Sequence, residues 1–489
     1  MRLPTRLRSK YRQTRCLRCR AQVVKKRRVL IPVACFALTA LLAACGGGGG
    51  GNPEGDDGQN VVVSEQDSSE SPSSDFEECS VAEQNRRVNF NMLDYYLWYD
   101  QVPAVNLDDY DSPEALIRDL RVLPFDVFSF VTDAAQAIET VEAGRNYDVG
   151  YRFRFDAAGD ARILFVDPNG PAAAAGFKRG DIILSIGGVA IDELAIDTYL
   201  ELIGPRENPN LVTWEIIDGA SGDEFSLTMA AAEYDIATVL YRTYYTHPEY
   251  DGRIGYLVFS QFIETSDDEL DLAFEYFLEN NVTDLIVDLR YNPGGRTRIA
   301  RKLASLISSP ATDGELLIEY RLNDKYEQFN FERIFEPEEN ALGLDAVVFI
   351  TTGSTASSSE IVINSLRPYI DVRLVGGTTT GKPYISAPRD FCGKRMNALE
   401  GEGFNADNVS VFGGIPADCV AHDDISVDFG QNSSGELEPM LLAAADSIVF
   451  GACETPALIA ASKDSARNTT KKSELTYQPR QTAEEVFDF

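Results

Sequence analysis

Apolar residues recur at two different periods along this chain, and the changes of period divide it. Over residues 80–141, Val88, Met92, Leu93, Tyr96 and Leu97 share one face at helical spacing. Ser112-Pro113-Glu114 predicts an N-cap with proline at the first helical position, opening a short helix through Leu116, Ile117 and Leu120. The aromatic run Tyr95, Tyr96, Trp98 and Tyr99 reads as core and docking surface of a small helical region. Between 145 and 232 the period shortens, and strands are predicted at 149–155, 161–166, 182–186, 212–217 and 225–229. Residues 252–450 then alternate. Strands are expected at 253–259, 285–289, 346–350 and 372–375. Ser266-Asp267-Asp268-Glu269 reads as a capping box before one helix, and 360–366 as another. This strand–helix rhythm predicts an α/β core with partly parallel strands.

The amino terminus has its own pattern. Residues 1–28 are basic and close on Lys25, Lys26, Arg27 and Arg28; an apolar run follows over 29–44. Its 16 residues fall short of the roughly 20 that span a bilayer, so a secretory signal is expected. The run ends in Leu42-Ala43-Ala44-Cys45-Gly46. This resembles the lipobox of bacterial lipoproteins, and the resemblance implies that Cys45 becomes the lipidated first residue of the mature chain. Residues 46–78 are Gly-, Ser-, Asp- and Glu-rich and read as a flexible tether, and 461–489 as a polar tail.

Composition narrows the function. Hydrophobic residues at 44 % and charged residues at 25 % allow a buried core. Set against the formal net charge of −33, the 12 basic residues of 1–28 leave −45 on residues 45–489. Such a body repels phosphate backbones, so no nucleic-acid partner is expected, and contact with a membrane is expected through the lipid anchor only. With Cys16, Cys19 and Cys35 removed and Cys45 lipidated, Cys79, Cys392, Cys419 and Cys453 remain, an even number suited to an oxidising compartment. Cys392 and Cys419 enclose a loop poor in apolar residues. They are expected to pair, leaving Cys79 with Cys453. The two histidines, His247 and His422, give no metal motif, and no phosphate-binding or dinucleotide fingerprint is present, so no metal or cofactor is expected.

Between the strands of the 145–232 stretch lie Gly170-Pro171-Ala172, Ala175-Gly176 and Gly180-Asp181 ahead of an apolar run. This order resembles a PDZ domain of the bacterial protease type. The resemblance implies peptide binding by strand addition, with backbone amides near Val149, Gly150 and Tyr151 receiving a terminal carboxylate. A PDZ fold that only gates or packs is the other reading.

Three stretches carry candidate chemistry. Gly353-Ser354-Thr355-Ala356-Ser357-Ser358-Ser359-Glu360 leads from a strand into a helix; Thr380-Gly381-Lys382 lies downstream; Asp288-Leu289-Arg290-Tyr291-Asn292-Pro293-Gly294-Gly295 ends an upstream strand. Together they resemble the carboxyl-terminal processing peptidases, or tail-specific proteases. The resemblance implies Ser357 as nucleophile and Lys382 as general base, with Gly294 or Gly295 and the Ser358 amide as oxyanion hole. It also offers Glu360 as an orienting group or a helix cap. Where some relatives carry Asp eleven residues after the nucleophile, this chain has Pro368. The chemistry is coherent. A serine hydroxyl needs a base, and a lysine serves as one only when desolvation keeps it neutral. No carboxylate lies close in sequence to Lys382. The expected organisation is a multidomain α/β chain: signal peptide 1–44, lipid-anchored linker 45–78, helical region 79–141, PDZ domain 142–235, serine peptidase core 236–460 and tail 461–489. Its expected partners are proteins or peptides with free carboxyl termini, met in the periplasm, with the outer membrane favoured over the inner. Two other functions fit the same residues: a tethered PDZ adaptor with a dead core, or a hydrolase in which His422 acts with Asp423 or Asp424.

Overall fold

A computed structural model describes residues 79–430 and 436–451. The signal, Cys45, the linker, Cys453 and the tail lie outside the described residues.

The core is a six-stranded sheet in the order Val239–His247, Tyr250–Phe259, Asp284–Asp288, Ala346–Thr351, Asp371–Gly376, Cys419–Val420. The first pair is antiparallel and every later pair parallel. The three long parallel strands are buried on both faces, which is why they read as continuous apolar runs rather than alternating ones. Helices Ser266–Glu279, Thr297–Ser308 and Ser358–Leu366 cover one face through Phe274, Leu303 and Val362. Helix Pro439–Val449 covers the other through Met440 and Ala444.

The Ser266–Glu279 helix is present, but the expected capping box is not. Its cap is Thr265, Ser266 turns back to the Ile263 amide, and Glu269 accepts from the Thr238 and Val239 amides instead. A tertiary demand, two amides opening the first core strand, has taken the side chain that the local motif assigned to the helix.

The PDZ-like segment forms a separate sheet in the order Tyr151–Phe155, Ala161–Val166, Ile182–Ile186, Val212–Ile217, Glu224–Met229. Its core is built around Trp214, whose indole N–H donates to Tyr151 Oη. Helix Val81–Asp94 and helix Pro113–Leu120, the latter capped by Ser112 as predicted, pack Val88, Met92, Tyr96, Leu116 and Leu120 into a third cluster. Leu93, expected on that buried face, points to solvent. The sequence pattern also missed the strand Phe130–Asp133, which pairs with a hairpin of Arg389–Phe391 and Lys394–Asn397.

That hairpin overturns the expected disulfides. Cys392, at its turn, bonds to Cys79 just ahead of the first helix. Cys419, also disulfide-bonded, sits on the edge strand of the core sheet. Closeness in sequence suggested Cys392 with Cys419; the hairpin carries Cys392 away to the helical region.

Candidate active site

Topology assembles the site. Strands Asp284–Asp288, Ala346–Thr351 and Asp371–Gly376 are parallel neighbours, in register at Asp288 with Ile350 and at Thr351 with Gly376. The three motif-bearing loops therefore leave the same carboxyl edge side by side, where ligand sites of open α/β sheets form. Cross-bonds sew them together. The Ala356 amide donates to Asn292 O at 3.1 Å and the Thr380 amide to Thr355 O at 2.9 Å. Thr380 Oγ1 donates to Gly353 O at 2.8 Å.

Ser357 sits at the turn into the Ser358–Leu366 helix with φ 55° and ψ −115°, a conformation L side chains rarely adopt. Four serines compete in sequence, and the structure separates them. Ser358 Oγ donates to Gly295 O at 2.7 Å and Ser359 Oγ to Asn292 O at 3.0 Å, both wholly buried. The Ser354 amide is tied to Thr352 Oγ1 within the preceding turn. Ser357 is half-buried and occupies the strained position.

Glu360 organises the neighbourhood. Its carboxylate has no solvent exposure and accepts four bonds. Oε2 takes the amides of Ser357 at 2.9 Å and Lys382 at 2.8 Å. Oε1 takes Thr379 Oγ1 at 2.5 Å and the Gly381 amide at 2.7 Å. The serine turn and the lysine turn thus share one acceptor oxygen. Burial pushes the Glu360 carboxyl up from its ordinary value, and the four donors pull against that rise.

Burial lowers Lys382 from its ordinary 10.5, and the Asp126 and Glu360 carboxylates oppose the fall. Asp126 is the residue that sequence reasoning missed. It arrives from the helical region on the 122–129 loop, and no local signal near Lys382 announces it. Its Oδ1 accepts the amides of Phe128 and Ser129 at 2.8 Å, and its Oδ2 accepts Tyr96 Oη at 2.8 Å. Phe128, on the same loop, places its ring centroid 5.4 Å from Lys382 Nζ.

The glycines resolve unequally. A Cβ on Gly294 would lie 2.8 Å from Ser357 Cβ and 2.8 Å from the Ser358 amide nitrogen, and φ is +105°, so only glycine fits. The Gly294 amide, however, donates to Asn292 Oδ1 at 2.9 Å and is not free to receive an oxyanion. Asn292 is a second missed residue; its Nδ2 donates to Phe259 O, which fixes the turn. Phe262 bonds to Gly294 O and the Arg296 amide on either side of Gly295. The Gly295 and Ser358 amides make no hydrogen bond among the described residues.

The alternative base fares differently. His422 is exposed. Asp423 is held by Arg179, Arg290 and Arg154 at 2.7, 3.0 and 3.2 Å and by Tyr291 Oη at 2.5 Å. Burial would raise its carboxyl, but Arg290 and Arg179 outweigh that and hold it at about 2. Asp424 bonds locally to Ser426. The Asp423 carboxylate knits the PDZ-like domain to the core rather than orienting an imidazole.

The expected peptide-binding residues also change. Val149, Gly150 and Tyr151 are all buried, and the Gly150 amide donates to Asp148 Oδ1 at 2.6 Å. A carboxylate of the chain itself occupies that donor. Tyr151–Phe155 nevertheless forms an edge of its sheet.

Comparison with known proteins follows the same three-part layout. Residues 253–418 match peptidase family S41, 83–130 match the S41 N-terminal domain and 162–215 match a PDZ domain. The core of the chain, residues 253–418, is of peptidase family S41. Its S41 match contains Gly294, Gly295, Ser357, Glu360 and Lys382 and stops short of His422. The chain is 25 % identical over 258 residues to the carboxy-terminal processing protease CtpA of Bacillus subtilis, covering 51 % of this chain and 52 % of that protein. It is 24 % identical over 232 residues to a CtpA-like serine protease of Staphylococcus aureus, covering 47 % and 44 %. The chain thus spans about half the length of the curated relatives it matches. A solved S41 protease structure from Bacteroides fragilis superposes with a TM-score of 0.58 at 23 % identity, covering 75 % of this chain and 97 % of that one, so the fold is shared.

Proposed function

We propose that this S41 member is a serine endopeptidase acting on protein or peptide substrates, with Ser357 as nucleophile and Lys382 as general base. The observation that carries the reading is the sharing of Glu360 Oε2 by the Ser357 and Lys382 amides, which fixes two turns against each other. Neutral Lys382 takes the Ser357 hydroxyl proton as Oγ attacks the scissile carbonyl carbon. The tetrahedral oxyanion is received by the amides of Gly295 and Ser358, at the positive end of the Ser358–Leu366 helix. Collapse expels the amine, which takes the proton back from Lys382 and leaves an acyl group on Ser357. Water then attacks that ester with Lys382 again as base. Burial moves the Lys382 pKa toward the neutral base that the reaction needs, while Asp126 and Glu360 oppose that fall and favour the transient ammonium.

In this reading the lipobox-like Cys45 tethers the enzyme to the bacterial envelope, facing the periplasm, with the outer membrane favoured. The PDZ domain gathers substrates by their carboxyl termini, by strand addition at amides other than that of Gly150. The test is active-site labelling by a fluorophosphonate probe with peptide mapping, alongside peptide hydrolysis. Labelling of Ser357, and loss of both signals in Ser357→Ala, is expected. Hydrolysis that survives Ser357→Ala would place the chemistry elsewhere.

A further inference from the structure

The 122–129 loop displays large apolar side chains to water while being held rigidly from behind. Leu123 is 65 % exposed and Phe125 40 %, and Phe412, from another loop, is 55 % exposed. The loop cannot fold them away. Tyr96 Oη accepts the Val122 amide at 3.1 Å while donating to Asp126. The Phe125 and Asp126 amides bond to Val122 O, and Arg121 Nη1 donates to Val127 O at 3.1 Å. Phe125 and Phe412 continue inward through Trp98 to the buried ring of Tyr384. Phe125 stacks on Trp98 at 5.8 Å and lies 6.1 Å from Phe412; Trp98 meets Tyr384 edge-on at 5.2 Å.

This surface is continuous with the candidate active site from both sides. Phe128 ends the loop over Lys382 Nζ, and Tyr384 is two residues beyond Lys382. The residues after Phe412, Gly413 and Gly414, lie against Gly381 so closely that a Cβ there would strike their backbone. Contiguous exposed apolar surface on a soluble body marks a binding site. A site opening beside the base is filled by the chain being cut.

We propose that Leu123, Phe125 and Phe412 form a specificity subsite of the peptidase, taking a large apolar or aromatic side chain adjoining the scissile bond of an extended substrate. The S41 N-terminal region, by this account, supplies one wall of the substrate cleft. The inference rests on the serine-peptidase reading, and the test separates the two. Peptides with amidated carboxyl termini, which lack the carboxylate a PDZ groove would take, carry Phe or Ala at the position next to a mapped cleavage point. Hydrolysis is measured with the wild type, Phe412→Ala and Phe125→Ala. Binding of the same peptides to Ser357→Ala, with and without Phe412→Ala, is measured by fluorescence anisotropy. The wild type is expected to favour Phe over Ala by roughly ten- to two-hundredfold in kcat/KM. Each exposed-ring variant loses most of that preference, its kcat/KM falling far more on the Phe peptide than on the Ala peptide, and the anisotropy preference disappears with Phe412. Equal losses on both peptides, or binding to Ser357→Ala that ignores the Phe-for-Ala exchange, overturn the subsite. So does an effect of Phe412→Ala confined to self-association in sedimentation, which would make the patch a contact between copies. If the wild type cleaves no peptide, the peptidase reading fails, and the anisotropy arm still decides whether the surface selects apolar side chains.

Discussion

Replacing Glu360 by glutamine is the sharpest perturbation of the site, because it keeps the shape and removes one acceptor. Four donors converge on the carboxylate: the Ser357, Lys382 and Gly381 amides and the Thr379 hydroxyl. Glutamine brings one oxygen and one NH2. The oxygen should turn toward Ser357 and Lys382, because a hydroxyl can reverse and accept from the NH2 whereas a backbone N–H cannot. That leaves the Gly381 amide buried without an acceptor, at about 1–3 kcal/mol. The Ser357 and Lys382 bonds fall from charge-assisted to neutral, and with them the total comes to roughly 2–4 kcal/mol. Glu360 is wholly buried, so no solvent screening reduces this. Urea unfolding should show a lower midpoint at unchanged slope. Loosening the two turns should lower kcat by about a hundredfold with KM little changed, since the group fixes geometry and touches no substrate. A variant of wild-type stability and turnover would refute the reasoning; normal stability with lost turnover would make Glu360 a participant in the chemistry.

Asp126→Asn removes the first of the two carboxylates that oppose the lowered Lys382 pKa, so that pKa falls further below 10.5. In the proposed mechanism the neutral lysine is the active form, so kcat/KM should rise with pH through this ionisation and the rising limb should move to lower pH; a move to higher pH contradicts the assignment. Cys79→Ser opens the bond between the first helix and the Cys392 turn, 313 residues apart in sequence. It should lower unfolding stability by typically 2–4 kcal/mol, whereas Cys419→Ser should leave the Cys79–Cys392 bridge intact in non-reducing peptide maps. Cys45→Ser should release the protein from the membrane fraction, and unchanged retention with an unchanged amino-terminal mass would end the lipid-anchor proposal.

That Ser357, Glu360 and Lys382 meet was legible because the runs that carry them follow strongly apolar strands, and parallel strands return such runs to one edge. The choice of Ser357 over Ser354, Ser358 and Ser359 rested on the resemblance alone, since what sets it apart in the structure is a backbone torsion and two buried hydroxyl bonds of its neighbours. Asp126 and Phe128 were invisible for a different reason. They meet Lys382 through packing of the helical region on the core, and nothing in the loop 378–382 encodes that meeting. The disulfide prediction failed on the same ground: loop closeness ranked Cys419 first for Cys392, and a hairpin docked on a missed strand gave Cys79. Periodicity likewise placed Leu93 inside, whereas among the described residues it stands exposed. Local patterns thus specified elements and motif ends, while the environment of the base was set by contacts distant in sequence.

The central claim is that a neutral lysine deprotonates Ser357. The most direct measurement is the kcat/KM of Lys382→Arg on a peptide that the wild type cleaves, with folding checked by circular dichroism. A guanidinium keeps the positive charge and the approximate length but stays protonated and cannot accept the hydroxyl proton. The account predicts turnover no higher than that of Ser357→Ala, and no further loss in the double variant. Near-wild-type turnover in Lys382→Arg would contradict it.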